Sequence, residues 1–185
     1  MPIQQEEFEE KVRRFRDIEE ARSRFYNLAL ELLNQGHEIE AYILILATWN
    51  FARFRYILRN FNLDRFREII QEINPIFENL RDKSFKDANF EDPHLCEEIK
   101  EIYEKLKEIV EQTGASKIMH LKNPNLFVMW DRGIRRMYGI RHVESEDYIS
   151  FLRKLKKRFS DITWENRDQT LAKAIDEYNY VESQE

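Results

Sequence analysis

Turn-forming residues are scarce in this chain, and that scarcity restricts its fold more than any other feature. Four glycines and four prolines serve 185 residues, about 2% apiece where soluble proteins average roughly 7% and 5%. A many-stranded barrel or sandwich needs turn signals about every 8 to 12 residues, so that class is excluded. A hydrophobic content of 42% and an aromatic content of 13% exclude a wholly disordered chain despite the many charges. What remains is an all-α protein, read here as one helical domain over residues 1–185. A chain of this length buries enough surface to need no disulfide or metal, and its lone Cys96 excludes an intrachain disulfide or a four-cysteine metal site.

Apolar periodicity divides the chain. Phe8, Val12, Phe15, Ile18, Phe25, Leu28 and Leu32 form one stripe, predicting a helix from Glu6 to Asn34 that ends at a left-handed Gly36. Glu38 to Asn60 is the most apolar segment and is expected to be a central helix, with Asn50 inside it. Asp64 is a candidate cap for a third helix ending near Asn74, because Pro75 disfavours continuation. Residues 81–92 show no period and read as a loop. Asp92-Pro93 then starts a helix to Gln112, which Thr113-Gly114 breaks. Glu144 or Ser145 opens a further helix through Phe159, and Asn166 or Asp168 a last one ending near Tyr180, after which Val181 to Glu185 should fray.

Charge is uneven along the chain. Residues 1–40 hold ten acids and six bases, whereas residues 115–160 hold eleven bases and four acids inside a protein of net charge −5. The basic segment, 112–160, suits a phosphate-binding face; the same residues also suit the solvated outside of a helix. The N-terminus has neither the basic nor the apolar region of a signal peptide, and no apolar run approaches the ~20 residues that span a bilayer, so a cytoplasmic protein without membrane partners is expected. His37, His94, His120 and His142 are scattered without metal-ligand spacing, so no metal and no cofactor is expected.

The segment Thr113 to Gly139 carries the chemistry. Ser116 or Thr113 as a cap places Lys117 in the first turn of a short helix, where the positive helix end lowers an amine's proton affinity, one route to a nucleophile. His120, three residues on, shares its face; it is either a tuning group or a satisfied core residue. The apolar run Leu126-Phe127-Val128-Met129-Trp130 leads to Asp131 at the start of a helix over Arg132–Tyr138. Such an aspartate is a cap, an anchored acid, or both.

At these residues the chain resembles the helix-hairpin-helix DNA glycosylases. Gly114-Ala115-Ser116-Lys117 is similar to the Gly-x-x-Lys end of their hairpin. Val128-Met129-Trp130-Asp131-Arg132-Gly133-Ile134-Arg135-Arg136-Met137-Tyr138-Gly139 looks like a compressed form of the element that delivers their essential aspartate. The pattern from Ser116 to Asp131 also looks like a group of microbial proteins for which no activity is implied. The resemblance covers about 27 residues; one hairpin glycine stands for several, Gly133 stands where the family often has histidine, and Lys117 and Asp131 are close in sequence. It implies that Lys117 attacks the sugar C1′ of a flipped, damaged nucleotide and forms a Schiff base, with Asp131 stabilising the positive charge. It further implies DNA as partner, with phosphates held by Lys122, Arg132, Arg135, Arg136 and Arg141, and a pocket drawn from Trp49, Asn50, His120 and Trp130. The alternative is a non-catalytic helical protein that binds nucleic acid or protein. The acidic N-terminal helix is in addition a candidate surface for a homodimer.

Overall fold

The computed structural model describes residues 3–166 and 168–185, and among these every regular element is helical. In chain order they are α1 (Gln5–Ile18), α2 (Glu20–Asn34), α3 (Glu38–Trp49), α4 (Phe51–Ile57), a 3-10 turn (Leu58–Asn60), α5 (Leu63–Asn79), α6 (Pro93–Lys122), α7 (Arg132–Met137), α8 (Ser145–Arg158) and α9 (Leu171–Glu182). They form a single compact domain around α6, which packs against α2, α3, α4, α5 and α8, while α1 lies against α9 and α2 against α3. No helix of the described residues is long and apolar enough to cross a membrane.

The long helices expected from periodicity are folded back on themselves. The Glu6–Asn34 stripe is two helices, divided at Glu19, whose backbone (φ −124°, ψ 34°) leaves the helical region. The break lets Phe8, Val12 and Phe15 face α9 while Tyr26 and Ala29 face α3. The apolar side of α1 is covered by α9, whereas Ile18, Phe25 and Leu28 of the same stripe are exposed. Glu38–Asn60 likewise divides at Asn50 (φ −138°) into α3 and α4. α5, in contrast, runs through Pro75. Pro75 lacks the N–H that would bond the carbonyl of Gln71, an exposed residue, so a single helical bond is lost. The stripe Phe66, Ile69, Ile70, Ile73 and Phe77 stays intact across it. The caps also differ: Asn62 rather than Asp64 accepts from the α5 backbone, at 3.0 Å from Arg65 N, and Thr170 rather than Asn166 or Asp168 caps α9. The Thr170 hydroxyl both accepts from Lys173 N and donates to Pro124 O, a tertiary bond that local cap preference does not register. Val181 is buried, and Glu185 pairs with Lys11 and Arg14, so the final turn is held in place. Gly36 (φ 85°) ends α2, Asp92 caps α6, and Glu144 with Asp147 forms a capping box on α8, as their sequence positions indicate.

The break in α6 falls at Glu111, not at Thr113-Gly114. Glu111 has φ 58° and ψ 175°, a region essentially restricted to glycine that costs about 1–3 kcal/mol in other residues. Arg53 of α4 clamps its carboxylate with two bonds of 2.6 and 2.8 Å. Gly114 lies inside the resumed helix, where a Cβ would stand 2.8 Å from Val110 Cβ and 3.1 Å from Leu46 Cδ2. Close approach of α3 to the kink, rather than a helix end, is what this glycine permits. Gly114→Ala, which in an ordinary helix gains up to ~1 kcal/mol of propensity, is therefore expected to destabilise the protein by about 1–3 kcal/mol through overpacking, read as a lower urea midpoint.

Candidate functional site

Beyond the kink, α6 buries one residue after another: Gly114 to Leu121 are all inaccessible. Ser116 accepts from Trp130 N at 3.2 Å, and its own hydroxyl lies 3.0 Å from Thr113 O and 3.2 Å from Trp130 O. This pins the extended run Leu126–Trp130 beside the helix. Trp130 is wholly buried, donates to Gln112 O at 3.1 Å and packs within 5.0–6.0 Å of Tyr148, Phe151 and Tyr103. It belongs to the core rather than to the wall of a cavity. The chain then reaches Asp131, whose Oδ1 accepts from Ile134 N at 2.9 Å and caps α7.

Lys117 sits in the second turn after the break, not the first, and its side chain is sealed in. Its amine donates to Trp49 O at 2.6 Å and lies 5.6 Å from the Trp49 ring. Burial lowers its proton affinity, from 10.5 to about 8, while the carboxylates of Asp176 and Asp131 oppose that shift. Desolvation, not a helix terminus, is thus the source of the effect. His120 places Nδ1 2.6 Å from Phe127 O and Nε2 2.9 Å from the Tyr26 hydroxyl. A carbonyl only accepts, so Nδ1 carries the proton. Burial lowers the ring to about 3, leaving it neutral, and Nε2 accepts from Tyr26. His120 is a fully satisfied core residue in this arrangement.

The sequence reading did not single out the residues that complete this centre. α9 contributes Lys173, Asp176 and Glu177, each less than 5% exposed. The Lys173 ammonium lies 3.3 Å from Asp176 Oδ2 and 3.2 Å from Glu177 Oε1. Three rings enclose it, Trp49 at 4.6 Å, Tyr26 at 4.9 Å and Phe15 at 5.0 Å, a cation–π cage. Burial raises the Asp176 carboxyl to about 6 against the pull of Lys173 and Lys117. Their spacing gave no warning of burial: Lys173, Asp176 and Glu177 at i, i+3 and i+4 share one face of α9 and read from sequence as an ordinary solvated side.

The remaining candidates separate into two environments. Asn50 lies at the α3–α4 junction with a buried Nδ2 that has no partner. Lys122 is ion-paired with Glu38. Burial of Glu38 is outweighed by bonds from Lys122, Asn74 and Tyr42, which hold its carboxyl below the usual range. That lysine is therefore committed within the fold. Arg132, Arg135, Arg136 and Arg141 instead line one surface depression of about 570 Å3 with Gly139 and Ile140. None of the four makes an ion pair among the described residues, and Arg135 lies over the Trp130 ring at 5.5 Å with an unpartnered, buried Nε. Neither Lys117 nor Asp131 is among the residues that line the arginine depression. No group of three or more potential metal ligands occurs among the described residues. Comparison of the chain with protein-family models, with curated proteins and with solved structures finds no match.

The low proton affinity of Lys117 makes stability depend on pH in a defined direction. Between about pH 8 and pH 10.5 the unfolded chain binds the proton and the folded one does not, so stability rises with pH through that window. Replacing the amine removes the dependence. Denaturant titrations of wild type and Lys117→Met should show wild type gaining about 2–3 kcal/mol on the variant from about pH 7 to about pH 10.

Proposed function

We propose that this chain is a DNA-binding protein of the helix-hairpin-helix glycosylase type, gripping phosphates through α7 and the turn after it. The observation that carries the reading is the set of four arginines with no carboxylate partner in one depression. Arginine forks match phosphate oxygens in paired hydrogen bonds, and released counterions supply most of the affinity. Asp131 serves this face as the cap that fixes α7. Two helices meeting at Glu111, followed by an extended lead-in to a capped helix, are the parts that favour the glycosylase-like scaffold. The protein's net charge of −5 makes binding local to this face and steeply dependent on salt.

Base excision is the second reading, and the buried Lys117 favours it. An amine whose affinity burial lowers to about 8, against the opposing pull of Asp176 and Asp131, is partly neutral near neutral pH and resembles an activated nucleophile. Its nitrogen would form a bond to C1′ as the glycosidic bond breaks toward the base, which leaves with that electron pair and takes up a proton. The amine would then give up a proton to the ring oxygen as the C1′–O4′ bond breaks toward that oxygen and the nitrogen lone pair forms the C1′=N bond of the Schiff base. Access to a sugar requires the Lys117–Trp49 O bond to break and the α3–α4 junction to move.

Fluorescence anisotropy with duplex and single-stranded DNA tests the first reading. Arg132→Glu/Arg136→Glu should weaken binding by more than about tenfold and lower the log–log salt slope by about 2, whereas Lys122→Ala should leave both nearly unchanged. Equal binding by the double variant would remove the reading. For catalysis, borohydride should trap a covalent adduct on a damaged duplex with wild type and not with Lys117→Gln. An adduct that survives Lys117→Gln would transfer the chemistry elsewhere.

A further inference from the structure

The arginine depression gathers more charge than a passing DNA backbone calls for. A strand lying on a surface presents its phosphodiesters singly, each with one charge, and proteins meet them with cations spread along its path. Here four guanidinium groups drawn from ten residues, 132–141, line one concavity of about 570 Å3. No carboxylate is among its lining residues.

Local backbone chemistry brings the four together. Arg132, Arg135 and Arg136 stand at i, i+3 and i+4 on α7 and share one side of it. Gly139 takes the left-handed conformation (φ 67°); its N–H bonds Arg136 O at 3.0 Å and the Ile140 N–H bonds Arg135 O at 2.9 Å. That pair of bonds is a Schellman motif. It ends α7, buries Ile140 and returns Arg141 to the same depression. Arg135 is the fixed member of the set. Its guanidinium lies 5.5 Å from the centre of the Trp130 ring, which is itself tied to Gln112 O, and its buried Nε has no partner. A buried N–H without an acceptor is costly, and four like charges around one concavity repel one another. Both costs are relieved by a single anion that carries more than one charge and several acceptor oxygens.

That requirement selects among anions. A carboxylate or a phosphodiester brings one charge and two free oxygens. A phosphomonoester brings three free oxygens and about −1.5 to −2 charges at pH 7, and guanidinium forks match those oxygens in paired bonds. The depression falls in the size range of small-ligand pockets, about 300–1,000 Å3, which leaves room for the sugar that bears the phosphate.

We propose that the depression binds a phosphomonoester, the terminal phosphate of a DNA strand, with Arg135 donating from Nε and Arg132, Arg136 and Arg141 closing on the remaining oxygens. The choice of DNA as the source rests on the DNA-binding reading above; the choice of a phosphomonoester does not. A strand end, a nick or a gap presents such a group, and an intact internal backbone does not.

The test is fluorescence anisotropy on one internally labelled duplex that carries a 5′-phosphate, a 3′-phosphate or hydroxyls at both ends, with calorimetry on inorganic phosphate and thymidine monophosphate beside it. One phosphorylated duplex should bind tighter than the hydroxyl-ended one by about tenfold or more. Arg135→Lys keeps the charge and loses the Nε–H and the fork. It should remove most of that preference and leave the salt slope on the hydroxyl-ended duplex unchanged. Because Arg135 also packs on Trp130, the exposed Arg141→Ala is measured in parallel and should cut the preference several-fold. Equal binding of all three duplexes, weakened alike by Arg132→Glu/Arg136→Glu, would overturn the proposal and leave the DNA reading intact. Saturable binding of phosphate or thymidine monophosphate, lost in Arg141→Ala, with no binding of any duplex would do the reverse: the phosphomonoester site would stand, with a free ligand as its source. A preference that survives both Arg135→Lys and Arg141→Ala would place recognition of the end elsewhere and overturn the proposal. No binding of any probe would overturn both.

Discussion

The fold converges on one buried ammonium group. Lys173 reaches from α9 into a space walled by Phe15 of α1, Tyr26 of α2 and Trp49 of α3, and it brings its own counter-charges one turn along the same helix. Four helices are thereby fixed relative to one another by a single charge. Such a group tolerates no half-measures: loss of one partner from a buried ion cluster typically costs about 3–5 kcal/mol, because the survivor is left uncompensated. Lys117 enters the same electrostatic system from α6 and feels both Asp176 and Lys173. Its altered proton affinity is thus a property of the whole centre rather than of its place in a helix.

A second constraint is the kink at Glu111. It turns the second half of α6 inward, so that residues 114–121 are buried on all sides, and it creates the groove in which Leu126–Trp130 lies. Ser116 and Gln112 bond that run at Trp130, which sets where the chain emerges and hence where α7 begins. The arginine face is positioned by this chain of contacts, from a strained residue clamped by Arg53 to a capped short helix at the surface. The cation–π contact of Arg135 with Trp130 joins the face directly to the core.

Helix content was legible in the sequence because the apolar stripes of α5, α6 and α8 follow a 3.6-residue period, and the caps at Asp92, Asp131 and Glu144 are locally encoded. Breaks were less legible. Nothing in the stripe through Phe15, Ile18 and Phe25 marks Glu19 as a corner; the turn follows from α9 and α3 each claiming one half. Pro75 misled in the other direction, since a continuous apolar face outweighed one missing helical bond. At the candidate site, the spacing of Lys117 and His120 put them on one helical face, but nothing local showed that this face is buried. The partners of both came from α2, α3 and α9, and no local pattern joins Tyr26, Trp49 and Lys173 across nearly 150 residues. Lys122 illustrates the converse, a basic residue of the right segment whose charge is already matched by Glu38 from α3.

The pairing of α1 with α9 has a consequence for how the chain reaches this state. Phe8, Val12 and Phe15 are buried only once residues from the far end of the sequence lie against them. Contacts of such long separation carry a late entropic cost and slow the folding step that depends on them. During synthesis α1 is made before α9 and keeps Phe8, Val12 and Phe15 uncovered until α9 has emerged. The nascent chain therefore passes through an interval in which α1 is a target for chaperones or for a neighbouring copy. Closure of the ends and assembly of the buried charge centre then occur as one event.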